Sequence, residues 1–119
     1  MRELNTFGAV LTYAIEIETL LRDAYRETGM AAEAKAADRR RLRLERTRAE
    51  HVLEITLEPI HGLAVTDYAE LHDASTDIRD KEAAATAFFQ DASPKINVRQ
   101  AQRVLQRCAR EHAAQSNAG

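Results

Sequence analysis

The chain has 119 residues, of which 45% are hydrophobic and 5% aromatic, so it supplies one modest core and we expect a single domain spanning residues 1–119. The absence of tryptophan and the low numbers of glycine (4) and proline (2) argue against a β-sandwich or barrel and predict an all-helical protein. With 17 basic and 19 acidic residues, the net charge of -2 excludes a strong overall attraction to nucleic acids or anionic membranes.

Breaker residues divide the chain into four predicted helices. The first begins after Asn5 or Thr6, which are good N-caps, and ends just before Gly29, which suits a left-handed C-terminal position. The second occupies roughly residues 32–58 and ends at Pro59. The other two predicted helices run from Thr66 or Asp67 to about Ala92, and from Pro94 or Asn97 to about Ala114.

The connections between these helices are short, which makes consecutive helices antiparallel neighbours. The start of the third helix rests on Asp67 and Glu70, which have the spacing of a capping box. Two helical hairpins joined by a linker at residues 59–66 give the predicted fold, an antiparallel up-down-up-down four-helix bundle.

Alternating steps of four and three residues place a carboxylate in the middle of two apolar seams. The seam of the first helix contains Glu18 and that of the third contains Glu82, so both side chains are expected to point inward. An isolated ionised carboxylate costs several kcal/mol in a core, and it therefore needs a counter-charge, a proton or a metal. The two seams consist of Phe7, Leu11, Ala14, Glu18, Leu21 and Tyr25, and of Leu71, Ser75, Ile78, Glu82, Ala85 and Phe89.

Imidazoles occupy the seams of the other two helices. The fourth helix has an apolar seam that ends in His112, and the second has a less regular seam that includes His51. The spacing from Glu18 to Glu82 nearly equals that from His51 to His112, which indicates a weak internal repeat. The two seams are Val98, Ala101, Leu105, Cys108 and His112, and Leu44, Arg48, His51 and Ile55.

The stretch from Ala14 to Tyr25, with Glu18 seven residues before the tyrosine, resembles the first helix of rubrerythrin-type ferritin-like proteins. The third helix, with Glu82 seven residues before Phe89, resembles a repeat of that element, and the resemblance extends from about residue 6 to residue 112. It implies a ferritin-like bundle with metal ligands at its centre. Carried over by position, the implied ligands are Glu18, His51, Glu82 and His112.

The chain departs from that family at two ligand positions. In the family a glutamate stands three residues before each ligand histidine. Here those positions hold Arg48 and Ala109, so half of the carboxylates expected at a di-iron site are missing. We therefore interpret the site as eroded, and we predict that the guanidinium of Arg48 contacts Glu18, Glu82 or both as their counter-charge.

Three interpretations of the two carboxylates remain open: a solvated edge, a buried network with Arg48, and a functional metal site. The favoured function is a non-catalytic binding or structural module with no cofactor. The alternative is a redox or oxygen-handling protein in which Glu18, His51, Glu82 and His112 hold Fe, Mn or Zn, with iron or manganese as cofactor. A solvent-facing Arg48 would favour the metal interpretation, because the buried carboxylates would then lack this counter-charge. The sequence leaves open whether the protein is an enzyme.

Arginines crowd the second helix at positions 39, 40, 41, 43, 46 and 48, but no aromatic residues are interleaved with them. This pattern is typical of a solvated helix face, and we expect no nucleic-acid partner. The N-terminal sequence lacks an apolar signal segment, no stretch is long enough to span a membrane, and Cys108 is the single cysteine. We therefore expect a cytoplasmic protein without membrane contact, and family analogy adds a homo-oligomer.

Overall fold

The computed structural model describes residues 3–51 and 60–118, and in this part the chain is all-helical, with 80% helix and no strands. This confirms the all-helical prediction. The α-helices are α1 (Phe7–Glu27), α2 (Ala31–Glu50), α3 (Ile78–Ala92) and α4 (Arg99–Ala118), and 3-10 helices cover Val65–His72 and Ser93–Lys95.

α1 begins and ends as its sequence predicts. The hydroxyl of Thr6 accepts a hydrogen bond from the backbone N–H of Ala9 at 3.0 Å, which caps the helix. Gly29 follows the helix with φ 75°, a left-handed conformation that favours glycine over residues with a side chain. The predicted seam is buried throughout, including Glu18 at its centre.

α2 is shorter than predicted, because it ends at Glu50 with His51 as its C-cap residue. The predicted end at residue 58, Ile55 and Pro59 lie outside the described residues. The buried face of α2 also differs from the predicted seam, since Arg48 is exposed while Arg40 and Thr47 are buried.

The predicted third helix is wrong in its first part. Residues 65–72 form a separate 3-10 helix, and α3 begins only at Ile78. The reason is the turn-forming segment between them: the carboxylate of Asp73 accepts hydrogen bonds from the N–H and hydroxyl of Ser75, and Asp77 caps α3 by accepting from the N–H of Arg79. α4 begins after Asn97, which agrees with the second of its two predicted starts.

Side-chain pairs fix the relative directions of the helices. α1 and α2 are antiparallel, since Glu18 contacts Arg40 while the earlier Thr12 contacts the later Arg48. α2 and α4 are also antiparallel, since Arg43 lies near Cys108 and the later Glu50 lies near the earlier Gln100.

α3 and α4 form a hairpin in which Ser93 contacts Gln102 and Glu82 contacts His112. α3 is therefore parallel to α2, and the helices follow the order up, down, down, up. The predicted up-down-up-down order is wrong in this respect, because the connection between α2 and α3 is long enough to return along the molecule before α3 begins.

The described part of that connection runs beside α1. The backbone N–H of Ile60 donates to the carbonyl of Asn5, and that of Leu4 donates to Leu63, both at 2.9 Å. Further along, His72 is 2.7 Å from the hydroxyl of Tyr13. The crossover thus follows α1 from its N-terminus upward and covers the core on that side, where Tyr68 and Leu71 are buried.

A cross-linking experiment distinguishes the two orders. With Glu50→Cys and Gln100→Cys, we expect a cross-link to form readily with a flexible bis-maleimide, because the two native side chains meet at 3.5 Å. With Glu50→Cys and Asp80→Cys, we expect none, since Asp80 is in the first turn of α3, at the end of the molecule opposite to Glu50. Non-reducing mass spectrometry reads both, and the reverse pattern would restore the up-down-up-down order.

Candidate functional site

Four charged or titratable side chains meet in the interior of the protein, one from each α-helix. Glu18 and His112 are 0% exposed, Glu82 is 1% exposed and Arg40 is 4% exposed. We call these four residues the central cluster. Polar groups buried to this degree must satisfy one another, because water does not reach them.

The position of each of these residues on its helix explains why its side chain points inward. Glu18, Glu82 and His112 lie on the apolar seams of their helices, among residues such as Leu21 and Leu105 that are also fully buried. Arg40 enters from α2 at the same height as Glu18. The two residues stand equally far before and after Gly29, so an antiparallel hairpin that turns at this glycine brings them level.

The imidazole of His112 lies between the two carboxylates. Its Nε2 is 2.6 Å from Oε2 of Glu18, and its Nδ1 is 2.6 Å from Oε2 of Glu82. A carboxylate oxygen accepts hydrogen bonds, so both ring nitrogens must donate. An imidazole with a proton on each nitrogen is an imidazolium cation, and the geometry therefore gives His112 a positive charge.

The remaining carboxylate oxygens also have donors. Oε1 of Glu18 accepts from Nε of Arg40 at 2.9 Å, and Oε1 of Glu82 accepts from the hydroxyl of Tyr25 at 2.5 Å. Each oxygen of both carboxylates is thus engaged. Charge-assisted hydrogen bonds of this kind are about twice as strong as neutral ones, which suits a site from which water is excluded.

The charges within the cluster cancel. Burial would lower the pKa of His112, but the carboxylates of Glu18 and Glu82 outweigh it and raise that pKa to about 9. The pKa of Arg40 is raised above its usual value as well, because the attraction of Glu18 exceeds the effect of burial. At neutral pH two cations therefore face two carboxylates, and the core carries no uncompensated charge.

The cluster continues to the surface through α4. A terminal nitrogen of Arg40 lies 3.4 Å from Glu111, whose carboxylate also contacts Arg43 at 3.2 Å and Arg107 at 3.0 Å. Burial raises the pKa of Glu111, but Arg43, Arg40 and Arg107 together lower it below its usual value. Glu111 thereby holds Arg40 in place from the side opposite Glu18.

Two aromatic side chains, Phe89 and Tyr25, also contact the central cluster. Phe89 stacks on His112 with 5.4 Å between ring centroids and 12° between planes. A π face next to a cation is attractive. Burial raises the pKa of Tyr25, and its hydrogen bond to Glu82 raises it further, so its hydroxyl stays protonated and donates.

Three of the four predicted metal ligands come together, and one does not. Glu18, Glu82 and His112 form the cluster, whereas His51 is buried at the far end of α2, eleven residues beyond Arg40 or about 16 Å along the axis. The predicted quartet is therefore not assembled.

The predicted counter-charge is also at a different residue. Arg48 is exposed, and its guanidinium donates to Thr12 at 3.4 Å instead of reaching a glutamate. It lies two turns beyond Arg40, level with an earlier part of α1. Its expected contact with Glu18 or Glu82 is thus wrong, and Arg40 supplies the charge. The argument that a solvent-facing Arg48 favours a metal fails for the same reason.

Sequence reasoning missed Arg40 although a signal was present. The spacing of the resembling family places the counter-charge three residues before His51, at Arg48. Counting outward from the Gly29 turn instead pairs Glu18 with Arg40. Arg40 also continues the buried stripe of α2 formed by Ala37 and Leu44 at spacings of three and four residues.

The residues present do not fit a metal centre. Over residues 3–51 and 60–118, no group of three or more His, Cys, Asp or Glu side chains is arranged to hold a metal ion. In the cluster, both nitrogens of His112 and all four carboxylate oxygens already take part in hydrogen bonds. A cation placed there would also be repelled by Arg40 and by the imidazolium.

Cys108 lies one turn before His112 and is fully buried. Burial raises the pKa of its thiol to about 12, so the reactive thiolate is scarce at neutral pH. We expect an aromatic disulfide reagent to label Cys108 in the native protein at least a hundredfold more slowly than in denaturant, as followed by absorbance. Comparable rates in both conditions would contradict this burial.

Comparison with family models, with curated proteins and with solved structures finds no match to this chain. No helix within the described ranges is both long and apolar enough to cross a membrane. The resemblance to rubrerythrin-type proteins therefore remains an expectation from the sequence.

Proposed function

We propose that this chain is a metal-independent helical bundle of the ferritin-like type, which acts as a non-catalytic structural or binding module. The observation that carries the proposal is the bridging position of His112, with each ring nitrogen 2.6 Å from a different carboxylate. In this arrangement the imidazolium occupies the position between the two glutamates that a metal ion would need. The site is thus balanced without any bound ion.

The ferritin-like part of the proposal is supported by the chain path as well as by the resemblance. Ferritin-like bundles have one long crossover connection, whereas simple up-down bundles have short loops throughout. Here the connection between α2 and α3 is the longest of the three, and its described part runs beside α1 from Asn5 to Tyr13. An inward glutamate on each of α1 and α3 is also in keeping with that class.

Metal titration tests the proposal. For the chain purified without a polyhistidine tag, we expect calorimetry with Fe(II), Mn(II) or Zn(II) to detect no site of micromolar or tighter affinity. Elemental analysis after growth with added iron should find only traces of metal. The conservative variant Glu82→Gln serves as control, because it removes a carboxylate that any metal site at this place would need.

The metal titration can also contradict the proposal. About one metal per chain, bound with micromolar affinity or better and lost in Glu82→Gln, would contradict the proposal and establish the metalloprotein alternative. Retention of the same metal in Glu82→Gln would place it elsewhere on the chain. In that case the central cluster would keep its assignment.

A further inference from the structure

The outward face of α2 carries an apolar side chain among cations. Leu42 is 50% exposed and is the exposed large hydrophobic residue of the described part of the chain. Lys35, Arg39 and Arg46 are also exposed, and their spacings of four, three and four residues place them with Leu42 on one face of the helix. We call these four residues the α2 stripe.

The three cations of the α2 stripe form no ion pair with any other residue in the described ranges. The ion pairs formed among residues 3–51 and 60–118 use Arg22, Arg40, Arg41, Arg43, Arg107 and His112. A leucine flanked by cations is complementary to a surface that is apolar at its centre and acidic at its rim.

A groove on another face of the molecule has this composition. It lies between the 3-10 helix Val65–His72 and α3, and its volume is about 300 Å³. Its apolar lining consists of Tyr68, Ala83, Ala84 and Ala87, and its acidic side chains are Asp67, Glu70 and Asp80. We call it the acidic groove.

The two surfaces cannot meet within one chain. α2 contacts α1 and α4, whereas α3 contacts α1, α4 and the 3-10 helix. The α2 stripe points away from the core on one side of the bundle, and the acidic groove is on the side of α3 and the crossover. Their complementarity can therefore be used only between two molecules.

We propose that the α2 stripe of one copy docks into the acidic groove of a second copy of this chain. Leu42 lies against the alanines of the groove, whose small side chains leave room for it, and Arg39 and Arg46 pair with Asp67, Glu70 and Asp80. A helix laid into a groove with an apolar anchor and flanking ion pairs is a common recognition mode. A nucleic-acid backbone offers the charges but no apolar floor for Leu42.

The contact is heterologous, because each copy uses a different surface. Every copy retains a free stripe at one end and a free groove at the other, so the assembly grows into rows or closes into a ring. The residues of the central cluster take no part in it. Failure of this inference would therefore leave the proposed function unaffected.

Sedimentation velocity over a range of protein concentrations tests the proposal. At low ionic strength we expect the average mass to rise above 13.3 kDa with concentration, and to fall again in 0.5 M salt, about 4 Å in screening length. Leu42→Asp should weaken association about tenfold or more, since it removes the buried apolar anchor. Leu42→Met keeps an apolar side chain of similar size and should associate as the native chain does.

A mixing experiment identifies the second surface. Asp80→Arg should block association by placing a cation in the groove, whereas Glu27→Arg makes the same charge change at an exposed residue that belongs to neither surface and should not. Leu42→Asp retains its groove and Asp80→Arg retains its stripe. A mixture of the two should therefore form one-to-one dimers that grow no further.

Several outcomes would overturn the proposal. One is a native chain that remains monomeric at all concentrations and salt levels. Others are self-association that Leu42→Asp leaves unchanged, and a mixture of the two blocked variants that stays monomeric. Tight binding of a fluorescent single-stranded DNA oligonucleotide by a chain that stays monomeric would instead assign the stripe to a polyanion.

Discussion

Replacing His112 with alanine should lower the free energy of unfolding by about 3 to 5 kcal/mol, the range for removing one partner of a buried charge network. The loss has two causes. Glu18 and Glu82 each lose their shared donor, and Phe89 loses the ring stacked on it. Urea denaturation followed by circular dichroism measures this change. The exposed His61→Ala is the matched control and should change stability by no more than about 0.5 kcal/mol.

A double variant shows whether the loss comes from uncompensated charge. In the His112→Ala background, Glu82→Gln removes one of the two carboxylates that lack a cation. We expect the double variant to be more stable than the sum of the single effects predicts, because neighbouring sites in one network are not additive. Strict additivity, or equal small losses in His112→Ala and His61→Ala, would place His112 outside any such network.

The native chain should lose stability as the pH rises from about 6.5 to above 9. The pKa of His112 is raised to about 9 by Glu18 and Glu82, whereas an unfolded histidine titrates near 6.5. A raised folded-state pKa contributes its full stabilisation below the unfolded value and loses it as pH passes through the folded value. The expected loss is roughly 3 kcal/mol across this interval.

The pH dependence has an internal reference. His112→Gln cannot become cationic, so its stability should vary less between pH 6 and pH 10 than that of the native chain. The difference between the two curves isolates His112 from other groups, since the thiol of Cys108 titrates only at about 12. Parallel curves for the two proteins would contradict a raised pKa at His112.

Much of the interior could be predicted from the spacing of apolar residues. The seam of α1 is buried at every predicted position, and Ala101, Leu105, Cys108 and His112 are buried on α4. This success has a physical basis, because a long amphipathic helix has only one face on which to bury apolar surface. The inward carboxylates Glu18 and Glu82 followed from the same periodicity.

The identity of the counter-charge could not be obtained from periodicity alone. Arg40 and Arg48 each lie four residues from Leu44, so the seam of α2 can include either guanidinium. Whether Arg40 lies beside Glu18 along the helix axis depends on the residue at which the α1–α2 hairpin turns. Once the turn at Gly29 is taken as the reference, the pairing follows. A reference taken from the family spacing to His51 instead selects Arg48.

The predicted helix order is wrong because a capping-box spacing alone does not produce a long α-helix at residues 65–72. Asp67 and Glu70 have capping-box spacing, which predicts a helix start at that point. The helix that forms there is a 3-10 helix only, and the turn at Asp73 and Ser75 ends it before α3 begins. That interruption lengthens the connection into a crossover and reverses the direction of α3 and α4 relative to the prediction.

The central claim is that His112 is a cation held between two carboxylates, and nitrogen NMR of its side chain tests it most directly. In uniformly ¹⁵N-labelled protein at pH 7, both ring nitrogens of His112 should have the shifts of an imidazolium, and they should titrate with a midpoint near pH 9. A ring that is neutral at pH 7, with one nitrogen unprotonated, would contradict the charge balance and leave a nitrogen lone pair for a metal.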